Sequence, residues 1–331
     1  MKIALDAMGG DNAPVETVKG AVNAAEELGY EIFLVGEEYS IEKELDKYRP
    51  FAGTVRVVNA SEKIGMDEPA AISVRKKKDA SINVCAKLVK EKKVDALITA
   101  GNTGAAVCAA TLYLRTLEGI ERPGISVIFP TLTGICFLID VGANIDPKPE
   151  HLLQYAVMGD VYMRYIFNKE EVKVGLLSIG EEESKGTTLI KETHRLLDAS
   201  ALNFIGNVEG RDIFTGKCDV IVCDGFSGNI ILKVSESIAE TLGKLFSREM
   251  NKSLLTKIGG LLSMTALRSF KKKIDYTEIG GAPLLGVDGV CIISHGRSTA
   301  KAIKNAIKVA GELSAHQVNK HIIDQLKNLT T

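Results

Sequence analysis

The chain has 331 residues, of which 45% are hydrophobic and 25% charged, and it carries a net charge of −1. That length supports a large core in one or two domains, and the balanced charge gives no ground for nucleic-acid binding, which needs a basic surface. The six cysteines form no CxxC, the five histidines no HExxH, and no apolar run approaches ~20 residues, which argues against a zinc site and a membrane-spanning helix.

The start, KIALDAMGG, is strand-like, and it is too short and too acidic for a secretory leader. From there, β-rich apolar runs alternate with longer amphipathic ones. Lys2–Leu5 reads as a strand, Val15–Leu28 as a helix, and Glu31–Val35 and Val55–Val58 as strands. Ser81–Lys90 is a helix, Ala96–Thr99 a strand and Ala105–Leu114 a helix. Ser126–Phe129 and Ile135–Ile139 pair around a Thr-Leu-Thr-Gly turn. Next come a helix at Leu152–Phe167, a strand at Val174–Ser178, a helix at Thr187–Leu197 and a strand at Asn203–Gly206. Val220–Cys223 is a strand, followed by a long helical region and a final helix from Thr299. This alternation predicts a mostly parallel sheet covered on both faces.

Glycine-rich polar loops follow many of the strands. DAMGGDNAP follows Leu5, TAGNTGA begins at Thr99, DVGAN follows Ile139, SIGEEES follows Leu177 and DGFSGN follows Cys223. Ligands gather at the carboxyl ends of such strands, and the loops are expected to share that edge. Glycine lets backbone N–H groups approach a ligand, and a helix start favours an anion. Turn-making and helix capping explain any one loop equally well. Neither GxxxxGK[ST] nor GxGxxG is present, so a small anion or phosphorylated group suits the loops better than a nucleotide.

Together these motifs resemble the fatty acyl-[acyl carrier protein]:phosphate acyltransferase family. The resemblance runs through DAMGGDNAP (6–14), RKKKDAS (75–81), TAGNTGA (99–105), GIERP (119–123), DVGAN (140–144), LLSIGEE (176–182), DGFSGN (224–229), GGAPLLG (280–286) and SHG (294–296). Thr99, Ser178 and Arg297 depart from the family pattern. The resemblance implies a dimeric Rossmann-like α/β/α sandwich, similar to the phosphate acetyltransferase and isocitrate/isopropylmalate dehydrogenase folds. It implies transfer of a fatty acyl group from acyl carrier protein to inorganic phosphate, giving acyl phosphate for phospholipid synthesis, with no cofactor or metal. It also implies a cytoplasmic homodimer that supplies a membrane acyl-phosphate:glycerol-3-phosphate acyltransferase. The alternatives are an acyl-CoA-using phosphate acyltransferase and an NAD-dependent decarboxylating dehydrogenase; no cluster of metal-binding aspartates supports the latter.

Phosphate is its own nucleophile, so the protein must position a dianion beside a thioester and stabilise the tetrahedral oxyanion. Asn102, Thr103 and Gly104 offer donors at a helix start for phosphate or oxyanion, with Asn144 and Asn229 as second candidates. Gly9 and Gly10 give close backbone approach. Asp6, Asp140 and Asp224 stand at strand ends, as caps or as orienting groups. Arg75 and Lys78 belong to a basic run that either is solvated or attracts phosphate and the acidic carrier protein. Lys185 is a candidate cation or general acid; Cys223 and Ser227 lack a histidine nearby in sequence to activate them as nucleophiles.

The expected organisation is one catalytic α/β unit over 1–331 with a helical hairpin at about 235–275. Ile258 to Leu267 is uncharged and flanked by Lys252, Lys257, Arg268 and Lys271–Lys273. Such a tip suits an anionic membrane surface; a subunit contact is the alternative.

Overall fold

A computed structural model describes residues 1–253, 255–257, 259, 263–265 and 280–329. Eleven strands form one sheet in the order β3-β2-β1-β4-β11-β10-β5-β6-β9-β7-β8. They are β1 Lys2–Asp6, β2 Glu31–Gly36, β3 Val55–Asn59, β4 Ala96–Thr99, β5 Gly124–Pro130, β6 Ile135–Ile139, β7 Val174–Leu177, β8 Phe204–Val208, β9 Val220–Val222, β10 Ala282–Leu285 and β11 Val290–Ile293.

Alternation along each strand sends side chains to two separate cores. Ile3, Leu5, Ile32 and Leu34 pack with α1 (Val15–Leu28), α6 (Pro149–Phe167), α9 (Ala300–Ala315) and α10 (Val318–Leu329). Ala4, Val35, Leu97 and Leu138 face the other way, onto α4 (Ser81–Lys90) and α5 (Thr103–Tyr113). Strand centres such as Leu97, Ile98 and Leu138 are fully buried, which is why those runs read as continuous apolar segments.

The sheet has two parallel halves that run in opposite directions. β2, β3 and β4 are parallel to β1 or its neighbours, and β11 is parallel to β4. β10 then runs antiparallel to β11 and to β5, and β5 antiparallel to β6. β9 and β7 follow β6, and β8 follows β7. Three successive reversals leave the β6 half pointing opposite to the β1 half. The polar loops therefore lie on two opposite edges of the sheet, and the expectation of one shared edge is corrected. The reversing element, β10, is a four-residue strand containing Pro283; it and β11 carried no strand signal strong enough to predict.

The helices also depart from the expectation at three places. α2 (Glu38–Leu45) and α3 (Ala70–Lys76) occupy stretches left unassigned, and the C-terminal helix is two, α9 and α10, separated by Gln317 at φ +48°. α7 (Thr188–Asp198) closes the β7–β8 crossover. α8 (Gly225–Met250) is a single helix of 26 residues with Ile230, Val234, Ile238 and Leu242 exposed in one stripe. The expected hairpin begins within α8, but Leu254, Ile258, Leu261, Leu262 and Leu267 lie outside the described residues.

Candidate active site

On the first edge, the loops after β1, β4 and β11 interlock. Asp6 ends β1 and is 3% exposed. Thr99 Oγ1 donates to Asp6 Oδ2 at 2.7 Å and accepts from Gly101 N–H at 3.0 Å. Burial pushes the Asp6 carboxyl above its ordinary value, against hydrogen bonds from Ser81, Thr99, Met8 and Gly9. Gly9 has no room for a side chain: a Cβ would lie 2.7 Å from Asp6 Oδ2 and 2.8 Å from Gly101 N. Gly10 has φ +102° and abuts the Gly296 carbonyl, which accepts from Asp11 N–H at 2.8 Å. A narrow cleft here is lined by Asp6, Met8, Gly9, Ser81, Thr99 and Asn102.

Asn102 caps α5 through Oδ1, which accepts from Ala105 N–H at 3.0 Å. Its Nδ2 donates to the carbonyls of Gly65, Met66 and Glu68 at 3.3, 2.9 and 3.1 Å. Both ends of the amide are committed, so the expectation that Asn102 offers a free donor to substrate is corrected: it braces the 65–68 loop. Thr103 and Gly104 are exposed on the first turn of α5, where the helix presents N–H groups and its positive end. Lys77 of the basic run donates to Glu68 at 2.6 Å, and that contact holds the Glu68 carboxyl down to about 2. Arg75 and Lys78 are exposed on the same side of the sheet.

The second edge is organised by Asp140, which is fully buried. Its Oδ1 accepts from Ile125, Gly142 and Ala143 N–H at 2.8, 3.1 and 3.0 Å, and Oδ2 from Asn144 N–H at 2.7 Å. Burial raises its carboxyl to about 6 despite these donors. The Asn144 carbonyl accepts from Gly225 N–H at 2.9 Å, which ties the DVGAN loop to the start of α8. Asn229, one turn on, lies against Gly142. Asp224 Oδ1 caps α8 by accepting from Ser227 N–H at 2.8 Å, so that oxygen serves the helix and not a ligand. Lys185 is exposed on the β7 exit loop, its N–H bonded to Glu182 O at 2.9 Å.

The structure thus brings Asn144, Asp224 and Asn229 together, and separately Gly9, Gly10, Asn102, Thr103 and Gly104. α8 links the two groups. It starts beside Asn144, and Glu236, eleven residues on and ~16 Å along the axis, lies 4.0 Å from His295 in the β11 exit loop. A wider surface groove between α6 and α10, lined by Arg164, Tyr165, His321 and Gln325, contains none of these residues.

Cys223 is 1% exposed, its Sγ donates to Asp140 O at 3.2 Å, and burial drives its thiol well above the ordinary value. That environment makes it a poor nucleophile. Sequence reasoning missed Glu121, His151 and Tyr155, which stand behind Asn144. Only the GIERP motif pointed towards Glu121; a separation of 30 positions from His151 hides the pair.

A family model described as "Fatty acid synthesis protein" matches residues 1–321. A phosphate acyltransferase from Dictyoglomus turgidum is 54% identical over 332 aligned residues, covering 100% of this chain and 99% of the relative. Among solved structures, the EutD phosphotransacetylase from Staphylococcus aureus aligns with TM-score 0.62 at 16% identity, covering 96% of this chain and 94% of its own. The 4-hydroxythreonine-4-phosphate dehydrogenase from Klebsiella pneumoniae aligns with TM-score 0.54 at 12% identity, covering 95% of this chain and 97% of its own. The last two share the fold, which by itself does not separate transferase from dehydrogenase.

Proposed function

The chain belongs to the fatty acid synthesis protein family, and from that premise we propose that it moves a fatty acyl group from acyl carrier protein to inorganic phosphate. Its class is that of a phosphate acyltransferase, and the observation that carries the reading is the match to such a relative across the full chain. The carrier-protein donor is the finer part of the proposal. It rests on the family's tie to fatty acid synthesis and on exposed Arg75 and Lys78, suited to an acidic partner.

The reaction proceeds without a protein nucleophile. An oxygen of monohydrogen phosphate attacks the thioester carbonyl, the tetrahedral oxyanion collapses, and the C–S bond breaks. The proton of the phosphate ends on the departing thiol. The anion is assigned to the first edge, where Gly9, Gly10 and the N–H groups of Thr103 and Gly104 surround a helix start. Phosphate placed there needs no cofactor. Lys185 and Asn229 stand on the second edge with Asn144 and are assigned to the donor's thioester arm, not to the carbonyl under attack. The thioester arm approaches along α8, which joins the two edges.

The remaining parts of the proposal concern surroundings. The exposed stripe of α8 is the surface offered to a second copy in a homodimer. Among the described residues no helix is long and apolar enough to cross a membrane. The cationic, apolar 252–273 segment is assigned from its sequence to peripheral contact with an anionic membrane, where the acyl phosphate passes to a membrane glycerol-3-phosphate acyltransferase. A cytoplasmic location follows from those partners.

The test is thiol release from long-chain acyl carrier protein and from acyl-CoA, each with and without phosphate. Phosphate-dependent release from the carrier protein is expected. Release from acyl-CoA alone selects the alternative donor, and release that ignores phosphate identifies a thioesterase.

A further inference from the structure

The side-chain amide of Asn144 is fixed by residues that the transfer chemistry does not use. His151, 5% exposed at the start of α6, accepts Lys148 N–H on Nδ1 at 3.0 Å. That bond leaves the ring proton on Nε2, which donates to Glu121 Oε2 at 3.0 Å. Nδ1 also lies 3.3 Å from Asn144 Nδ2, and because Nδ1 is an acceptor, the amide must turn its NH2 group towards it. The Tyr155 hydroxyl, 3.5 Å from the same Nδ2, donates to Pro123 O at 3.2 Å and so is also an acceptor to Asn144. Both contacts set the amide one way round. Asn144 Oδ1 is then left outward, and it accepts no hydrogen bond from the described residues.

An outward amide oxygen beside the Asp140 carboxyl refuses phosphate, which brings negative charge and acceptors. It suits a neutral N–H donor. The residues that follow Asn144 and Gly225 in the two joined loops are apolar and exposed: Ile145 is 70% exposed and Phe226 is 61% exposed. The Gly225 N–H to Asn144 O bond joins the two chain segments that carry Ile145 and Phe226. An acyl thioester of the pantetheine type carries amide N–H groups and a branched alkyl segment along one arm.

We propose that Asn144 Oδ1 receives an amide N–H of the donor's pantetheine arm, flanked by Ile145 and Phe226, and that Glu121 and His151 are positioning residues for it. The inference rests on the acyl-thioester reading above and replaces phosphate by pantetheine as the partner of Asn144. Glu121 is 57% exposed, so its bond to His151 adds little stability and acts by holding the ring.

The experiment compares four donors with the full chain: S-acyl-pantetheine, acyl-CoA, acyl carrier protein, and an S-acyl-ethanethiol that has no amide. Turnover of the ethanethiol ester by the parent tests acyl transfer by itself. The ratio of kcat/KM between the pantetheine donors and that ester tests the subsite. Asn144→Ala lowers the ratio about 2- to 12-fold, the worth of one neutral hydrogen bond, through KM. Glu121→Met, at an exposed position that tolerates change, lowers it in the same direction, and Glu121→Gln, which keeps an acceptor for Nε2–H, retains it. Equal falls with acyl-CoA and acyl carrier protein show that the shared arm is read. An unchanged ratio in Asn144→Ala overturns the proposal. So do a loss confined to the carrier-protein donor, a Gln variant as impaired as the Met variant, and a parent inactive on every thioester.

Discussion

Two glycines in α8 should respond to alanine with opposite signs. Gly243 has nothing within 4 Å of where a Cβ would stand. Its replacement removes backbone freedom from the unfolded chain and should stabilise by about 1 kcal/mol. Gly228 lies where the helix presses on the DVGAN loop. There a Cβ would overlap the Asp140 carbonyl oxygen and come within 2.9 Å of both the Asp140 carbonyl carbon and Cys223 Sγ. Backbone cannot yield as a side-chain tip does, so α8 must lift. Overpacking costs about 1–3 kcal/mol, and loss of the Gly225–Asn144 bond costs about 1 kcal/mol. Subtracting the helix-propensity gain of about 1 kcal/mol leaves a net loss of about 1–3 kcal/mol. At ~2.1 cal/mol/K per residue over 331 residues, Tm should fall by about 1–4 °C for Gly228→Ala and rise by about 1 °C for Gly243→Ala. Paired calorimetric scans measure this. A Tm raised by Gly228→Ala would refute the close approach of α8 to Asp140.

Asn102→Ala removes a helix cap and leaves three loop carbonyls without their donor; it should cost about 2–4 kcal/mol and speed proteolysis within residues 64–69, which parent-like protection would contradict. Asp140, raised to about 6 in the fold from 3.8, favours folding most when protonated, and that benefit fades as pH rises through 6. The parent should therefore lose about 2 kcal/mol between pH 4.5 and 7 through this group; denaturation curves of Asp140→Asn should lack that part of the slope. Cys223→Ala should keep turnover within about threefold of the parent, since attack by phosphate needs no covalent step. An acyl adduct on Cys223, seen by intact mass, would contradict this.

Strand–loop–helix alternation was legible because the buried strand centres, such as Leu97-Ile98 and Phe137-Leu138, are short apolar runs closed by glycine-rich turns. The reversal of the second half was not. It depends on β10, whose Pro283 and four-residue length look like loop, and whose partners β5 and β11 are distant in sequence or equally short. The same blindness placed all the polar loops on one edge. At the candidate site, the residue types were legible but their free atoms were not. Asn102 and Asn144 both stand in strand-exit loops, yet one is saturated by the carbonyls of Gly65, Met66 and Glu68, and the other keeps an oxygen without a partner among the described residues because His151 and Tyr155 take its NH2. Such commitments come from residues 7 to 37 positions away, which no local pattern reports.

Attack by a phosphate oxygen on the acyl carbonyl is tested by incubating the protein with long-chain acyl carrier protein and phosphate labelled with oxygen-18 at every position, then weighing the products. The account predicts acyl phosphate whose phosphoryl group and bridging oxygen all carry the label, together with free carrier-protein thiol. Unlabelled free fatty acid as the sole acyl product, or acyl phosphate lacking the bridging label, would contradict it.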